Sequence, residues 1–357
     1  MILGTTEDER LKNSSLGLDT PFPTAFARWV GAGTARWEST ELFQRHARGA
    51  LDLYKMWPDK TLAMLSNGQA ACAYTDTIGA RLVLGMPAGA PPLMGAAIDA
   101  VEAKTTGRTL AFVAIDPDCL PRFRRRRYTL TPLGEEAIVD LNYFIGQTTR
   151  SYAIARYAQR FAPNGFTTER SEPPHTAALL NDLDMIIAGW LAIPRRRNLG
   201  FAAGSYSHDY MNAVPVHILR GPDMRAHAFV SELPTVGRTA AVDLIRRSPD
   251  APGGAVDYLI QKALHHAWRS GAARCSLGLA PIASRSCPLP ATRTESGLAC
   301  LARHAAHALG FHGLHRFKAK FEPEWEPRYL AVRGGAGRTW HAMVALYRAI
   351  NNPTQPS

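Results

Sequence analysis

The sequence predicts an α+β fold, built as two similar halves in tandem, and three observations lead there. Short apolar stretches with strand-like alternation come in runs, separated by turn signals such as Asn67-Gly68. Each run gives way to a helical pattern and then to a buried strand. That order of strands, helix, strand, helix, strand occurs twice along the chain.

In the first half, "TLAMLSNGQAACAYTDTIGARLVLGMPAG" reads as short strands turning at Asn67-Gly68 and near Gly79. Both "ACAYT" and "ARLVLG" alternate, and Asn-Gly suits a tight hairpin. "PPLMGAAIDAVEAKTTG" has prolines at its start and Gly107 at its end, the punctuation of a helix. "TLAFVAID" then reads as a buried strand, "GEEAIVDLNYF" follows, and "RSYAIARYAQRFAPNGF" is an amphipathic helix ending at Asn164-Gly165. "TTERSEPPHT" is polar and carries Pro173-Pro174, so it reads as a linker ahead of a helix that His175 and Thr176 begin.

The second half repeats the logic. "FAAGSY", "VPVHILRG", "MRAHAFVSEL" and "TAAVDLI" read as strands. "PGGAVDYLIQKALHHAWRSG" is the clearest helix, with Val256, Leu259, Ile260, Ala263, Leu264, Ala267 and Trp268 on one apolar face. "ARCSLGLAP" is a strand stopped by Pro281, "GLACLARHAAHALG" a helix, and "TWHAMVALYRAI" a terminal helix. "GGAGR" before it reads as a turn. The expected boundaries are an N-terminal extension over 1–40, a first domain over 41–168, a second over 169–335, and a helix and tail over 336–357.

Composition narrows the function classes. At 357 residues and 46% apolar, the chain has enough material for real cores. A net charge of +11 favours a polyanionic partner, nucleic acid or an anionic membrane surface. Cys72, Cys119, Cys275, Cys287 and Cys300 form no C-x-x-C pair and are odd in number, which argues against a disulfide framework and a structural zinc. The start "MILGTTEDER" lacks the features of a signal peptide, and the longest apolar run, "MIIAGWLAI", is about half of what spans a bilayer. The expectation is a cytoplasmic protein, at most peripheral to the inner face of the membrane. No G-x-S-x-G elbow, no phosphate-cradling G-x-x-x-x-G-K-[ST] and no coenzyme A loop occurs, so no cofactor is expected.

Several motifs carry a resemblance. "RFKAKFEPEWEPRYLAV" near the C-terminus, "VDLIRRSPDAPGGAVDYLI" from Val242 to Ile260, and "SLGLAPIA" from Ser276 to Ala283 are similar to signatures of the aminoacyl-phosphatidylglycerol synthases, the catalytic part of the multiple-peptide-resistance-factor family. "GEEAIVDLNYF", "NGFTTE", "GWL" and "FAAGSYSHDY" match upstream in the same order. "LGMPAGAP" departs from the family's usual Gly-Asp-Pro-x-Gly. The resemblance implies two tandem acetyltransferase-like (GNAT) domains joined by a helix. It also implies transfer of an amino acid from aminoacyl-tRNA to an acceptor, typically the glycerol hydroxyl of phosphatidylglycerol. The family's usual flippase helices do not occur in this sequence.

Aminoacyl-tRNA is already an activated ester, so such an enzyme has to hold the α-ammonium, orient the carbonyl, stabilise an oxyanion and admit one nucleophile. By the same resemblance, Asp243 is the expected ammonium anchor, Arg246 its partner or a contact to the terminal adenosine, and Lys318 the cation near the ester carbonyl or phosphate. Asp257 and Glu295 are candidate second carboxylates of the aminoacyl pocket, although Asp257 in a first helical turn also suits the helix dipole. Lys320 shares a face with Lys318 if the segment is extended, and Arg328 is placed to fork onto a carboxylate or phosphate. Glu322, Glu324 and Glu326 alternate along that same segment, with Trp325 as a packed anchor.

The runs "RFRRRR" and "PRRR" place Arg124, Arg125, Arg126, Arg195 and Arg196 as contacts for tRNA phosphates or anionic headgroups. Of the histidines, His265 reads as polar-face, and His312 and His315 flank the C-terminal motif without reading as bases. The expected partners are aminoacyl-tRNA and a polar lipid, with peripheral contact to an anionic membrane. Two other readings stand beside this one at the sequence level. One keeps the donor but takes a small soluble amine, hydroxylamine or alcohol as acceptor. The other is a non-catalytic RNA- or membrane-binding protein that kept the fold.

Overall fold

A computed structural model describes residues 21–31, 34–150, 152–194, 196–281 and 312–351. Its strands are β1 Thr61–Met64, β2 Ala70–Thr77, β3 Ala80–Leu84, β4 Ala88–Gly89, β5 Thr109–Ile115, β6 Tyr128–Asp140, β7 Thr167–Ser171, β8 Val216–Arg220, β9 Ala226–Val236, β10 Thr239–Arg247, β11 Arg274–Pro281 and β12 Glu324–Arg333. The helices before the long crossover are α1 Thr24–Val30, α2 Thr34–His46, α3 Ala50–Leu53, α4 Met94–Ala103, α5 Leu120–Arg125, α6 Leu141–Gly146 and α7 Tyr152–Phe161. After it come α8 Ala177–Leu191, α9 His208–Met211, α10 Ala255–Arg269, α11 His312–Ala319 and α12 Ala336–Asn351. The fold is α+β.

All strands join one sheet in the order β1-β2-β3-β5-β12-β6-β11-β10-β9-β8-β7, with β4 on β2. The duplication is visible in its wiring. In each half an antiparallel run leads, through one helix, to a parallel neighbour: β3 to β5 through α4, and β10 to β11 through α10. Strands β3 and β5 are buried along their whole length, as strands covered on both faces are, with Arg81 in β3 paired to Asp76.

Helices α8 and α12 cover one face of the sheet, and α4 and α10 cover the other faces of their halves. The apolar side of α10 is as expected for Leu259, Ile260, Ala263, Leu264 and Ala267, all buried. Trp268 is the exception: it is 40% exposed, and its indole donates to Asn142 at 3.0 Å.

Three local expectations are corrected. The supposed linker contains β7, which among the described residues is an edge strand paired only with β8; its charged, polar residues suit a sheet edge and hide it from an apolar-pattern reading. "FAAGSY" is not a strand but an irregular segment leading into α9, whose N-cap Ser207 accepts from Tyr210 N. Lys318 lies on α11 and Lys320 in the turn after it, so the two do not share a strand face. The strand of that motif begins only at Glu324, and it inserts between β5 and β6 of the first half.

Candidate active site

The parallel ladder between β10 and β11 runs from Thr239↔Arg274 to Ala241↔Ser276 and stops. Two residues further on each strand lie Asp243 and Gly278, where β11 also shifts its register against β6. A splay between parallel strands opens backbone and side chains to a ligand at their carboxyl ends, and the residues flanking it form the candidate site.

Asp243 is half-buried and held by three donors. Its Oδ1 accepts from Tyr54 Oη at 2.7 Å and from the Gly204 amide at 2.9 Å, and its Oδ2 accepts from Tyr210 Oη. A carboxylate offers about four lone-pair positions, so this arrangement leaves about one acceptor position, on Oδ2. Burial and the charge of Asp243 push both phenols well above the ordinary tyrosine range, which keeps them as donors. Gly204 allows the approach: a Cβ there would sit 1.8 Å from Asp243 Oδ2. An aromatic cluster fixes the phenols, with Trp57 packed 4.7 Å from Tyr54 and 5.6 Å from Tyr210, and Trp29 at 5.0 Å from Tyr210.

Lys318 approaches from α11. It is buried, and its Nζ donates to Gly278 O at 2.9 Å and Leu279 O at 3.0 Å. Gly278 has φ +81°, a conformation that aims its carbonyl at no steric cost only in glycine. Burial brings the Lys318 ammonium down to about 7, and the charge of Glu136 opposes that fall. Glu136 also contributes to raising Tyr54, so one carboxylate is the shared electrostatic neighbour of the Asp243 and Lys318 sides.

Glu136 is itself locked. Ser276 Oγ donates to its Oε1 at 2.5 Å, and Arg328 Nη2 donates to its Oε2 at 2.7 Å. Arg328 also binds Glu326 at 2.8 Å and Asp116 at 3.0 Å, and Arg48 continues the network to Asp116 at 3.5 Å and Asp52 at 3.7 Å. Glu136 and Glu326 are direct cross-strand partners. Like charges in that position repel, and Arg328 between them offsets the repulsion.

Residues 41–332 match the family model described as phosphatidylglycerol lysyltransferase, C-terminal. The chain belongs to that family. It is 27% identical over 278 residues to the phosphatidylglycerol lysyltransferase of Bacillus subtilis, covering 77% of this chain and 32% of that protein. The chain thus spans about a third of the length of the curated relatives it matches. Two solved structures share the fold over 89% of this chain and 97% of theirs. They are the C-terminal domain (DUF2156) of a candidate lysylphosphatidylglycerol synthetase from Agrobacterium fabrum, at TM-score 0.75 and 28% identity, and L-PGS from Bacillus licheniformis, at 0.74 and 26%.

This phosphatidylglycerol lysyltransferase-family chain disperses several of the expected site residues. Arg246 forms no ion pair with Asp243 among the described residues. Its guanidinium lies 4.1 Å from the Trp190 ring centroid and donates to Ile245 O, while its buried Nε has no hydrogen-bond partner there. Burial, with Arg196 nearby, lowers it to about 10, and Asp243 opposes the fall. Asp257 and Lys320 pair with one another at 2.6 Å, joining the start of α10 to the end of α11. Neither is seen beside Asp243. Arg328 forks onto carboxylates as expected, but they are the protein's own.

Glu322 precedes β12 and accepts from Thr148, whereas Glu324 and Glu326 share Arg274. Trp325 stacks on His315 at 3.9 Å, and His315 lies 3.7 Å from Glu135. His265 is half-buried against Phe144. Arg124 and Arg125 are exposed, but Arg126 is tied to Asp99 and Glu102. Arg196 is exposed and lies 5.4 Å from the Trp190 ring centroid. Glu295, Arg195, Cys287, Cys300 and the "GLACLARHAAHALG" helix lie outside the described residues.

Sequence reasoning missed Tyr54, Tyr210, Gly204 and Glu136 as site residues. Tyr210 and Gly204 sit inside the quoted "FAAGSYSHDY", and Glu136 inside "GEEAIVDLNYF", so the motifs pointed there without assigning roles. Nothing in "DLYKMW" marks Tyr54.

Proposed function

We propose that the chain is an aminoacyltransferase that moves an amino acid from aminoacyl-tRNA to the glycerol hydroxyl of phosphatidylglycerol. The observation that carries this reading is the Asp243 carboxylate, fixed by Tyr54, Tyr210 and Gly204 with an acceptor position left over. That position suits one N–H of the aminoacyl ammonium, through a charge-assisted hydrogen bond. Arg246, with its unpartnered Nε, takes an oxygen of the terminal nucleotide. Lys318, in its protonated form, has one N–H beyond the two given to Gly278 and Leu279, and this stabilises the oxyanion.

In the reaction the lipid hydroxyl oxygen bonds to the ester carbonyl carbon, the bond from that carbon to the ribose oxygen breaks, and the hydroxyl proton ends on the ribose. The neighbouring ribose hydroxyl relays that proton, so no histidine is required. Exposed Arg124 and Arg125 contact tRNA phosphates. Residues 41–168 and 169–335 act as the two tandem units, with β12 returning to the first unit's sheet. The chain works at the inner face of the membrane.

The test is incubation with radiolabelled aminoacyl-tRNAs and phosphatidylglycerol, followed by partition into chloroform. Label entering the organic phase, and failing to do so with Asp243→Asn, supports the reading. Label that leaves tRNA only for water, with or without a soluble amine, overturns the lipid acceptor.

A further inference from the structure

Helix α8 carries an outward face that the transfer chemistry does not use. Its inner side is buried through Leu179, Leu180, Leu183, Ile186, Ile187 and Trp190. Its exposed residues at helical spacing are Ala178, Asn181, Met185, Ala188 and Ala192, with Leu191 at the margin. Met185 is 68% exposed. No charged side chain stands on this stripe, which runs about 20 Å at 1.5 Å per residue. The two acids on the helix flanks have partners within the protein: Asp182 pairs with Arg220 at 2.8 Å, and Asp184 accepts from Tyr206 and His208.

Arg220 also donates to Met224 O, which brings a second exposed methionine, Met224 at 64%, beside the stripe. The helix ends at Leu191, and exposed Arg196 and Arg197 follow in the irregular chain beyond it. An uncharged apolar face bordered by arginines is the pattern of a helix lying in the plane of an anionic bilayer, with apolar side chains below the headgroups and guanidinium groups at phosphate level. A tRNA backbone gives an apolar stripe nothing to bury.

We propose that the outer face of α8, with Met224 and the arginines that follow the helix, docks on an anionic lipid bilayer. This inference rests on the lipid-acceptor reading for its purpose and extends it to an orientation. Trp190 on the inner side of α8 contacts Arg246, three residues beyond Asp243 on β10. Seating α8 on the membrane therefore sets Arg246 and β10 one helix away from the bilayer that holds a lipid acceptor.

The test is co-sedimentation of the full chain with vesicles of phosphatidylglycerol and phosphatidylcholine, beside vesicles of phosphatidylcholine alone. The wild type partitions to the anionic vesicles, and Met185→Gln/Leu191→Gln weakens that partition by about tenfold. Transfer by the double variant to a water-soluble short-chain phosphatidylglycerol stays at the wild-type level. Unchanged vesicle partition in the double variant overturns the proposal. So does a wild-type dimer in light scattering that the variant dissolves, since the stripe would then bind a second copy. Loss of tRNA retention with vesicle binding intact assigns the face to RNA and overturns it as well. If even short-chain phosphatidylglycerol takes no label, the transferase reading fails, and vesicle partition still decides the docking face.

Discussion

Tyr54 and Asp243 are 189 residues apart in sequence, and the phenol of the first donates to the carboxylate of the second at 2.7 Å. The bond joins the segment before β1 to β10, so the carboxylate is oriented by a side chain far away in sequence. Tyr210 and the Gly204 amide complete the cradle from the segment just before β8.

Removing one donor at a time tests that cradle. Tyr54→Phe and Tyr210→Phe each leave a half-buried carboxylate short of a hydrogen bond, at a cost of about 1–3 kcal/mol. Both variants are expected to fold, lose stability in that range by urea titration, and transfer amino acid at least about tenfold more slowly. Full activity in both would show that the phenols do not orient Asp243.

Gly204→Ala is a steric version of the same test. The added methyl would overlap Asp243 Oδ2, so the carboxylate or the segment carrying Gly204 has to move. Overpacking of this kind costs about 1–3 kcal/mol. The expected signature is a loss of transfer larger than that of either tyrosine variant, measured by label reaching lipid. A Gly204→Ala protein as active as the wild type contradicts the geometry.

Arg328 stands between Glu136, Glu326 and Asp116. Arg328→Met leaves the buried Glu136 without its cation, and stranding a buried charge costs about 3–5 kcal/mol. Adding Glu136→Gln removes the stranded charge, so the double variant is expected to recover a substantial part of the loss in a denaturation cycle. Additive losses would mean that the pair is not coupled.

Lys318 gives a pH dependence with a definite sign. Its ordinary value of 10.5 is lowered to about 7 in the fold, because burial disfavours the ammonium. Between those values the unfolded chain holds the proton and the folded chain has released it, so the native state gains as pH rises, by about 1.4 kcal/mol per unit. Below about 7 both states are protonated and the full cost of burying the charge is present. Lys318→Met loses this slope. Its stability relative to the wild type should therefore be greatest near pH 6 and fall steadily toward pH 10 in denaturant titrations. A constant difference across that range would show that the ammonium is not buried.

Much of the fold was legible because it obeys local rules. Helix α10 announces itself by period and glycine punctuation, and β1 to β3 by alternation about Asn67-Gly68. What escaped is tertiary. β7 is polar because it is an edge, and α11 is masked by the charges of "HRFKAK". The insertion of β12 between β5 and β6 leaves no local trace at all. At the candidate site, Asp243 and Lys318 lie in motifs quoted from the sequence, and their roles are part of the proposal. The tyrosines were not readable there, since a phenol becomes a site residue only when the fold delivers it to a carboxylate. Lys320, Asp257 and Arg328 look like ligand-binding charges in sequence, yet each finds its counterion within the chain.

The most direct test of the account is the affinity of a non-hydrolysable aminoacyl-adenosine amide, measured by calorimetry for the wild type and Asp243→Asn beside the same analogue lacking its α-amine. If Asp243 holds the ammonium, the asparagine variant binds the amine-bearing analogue at least about tenfold more weakly, as expected for a lost charged hydrogen bond. The deaminated analogue should then bind both proteins alike. Equal binding of the two analogues to the wild type would contradict the account.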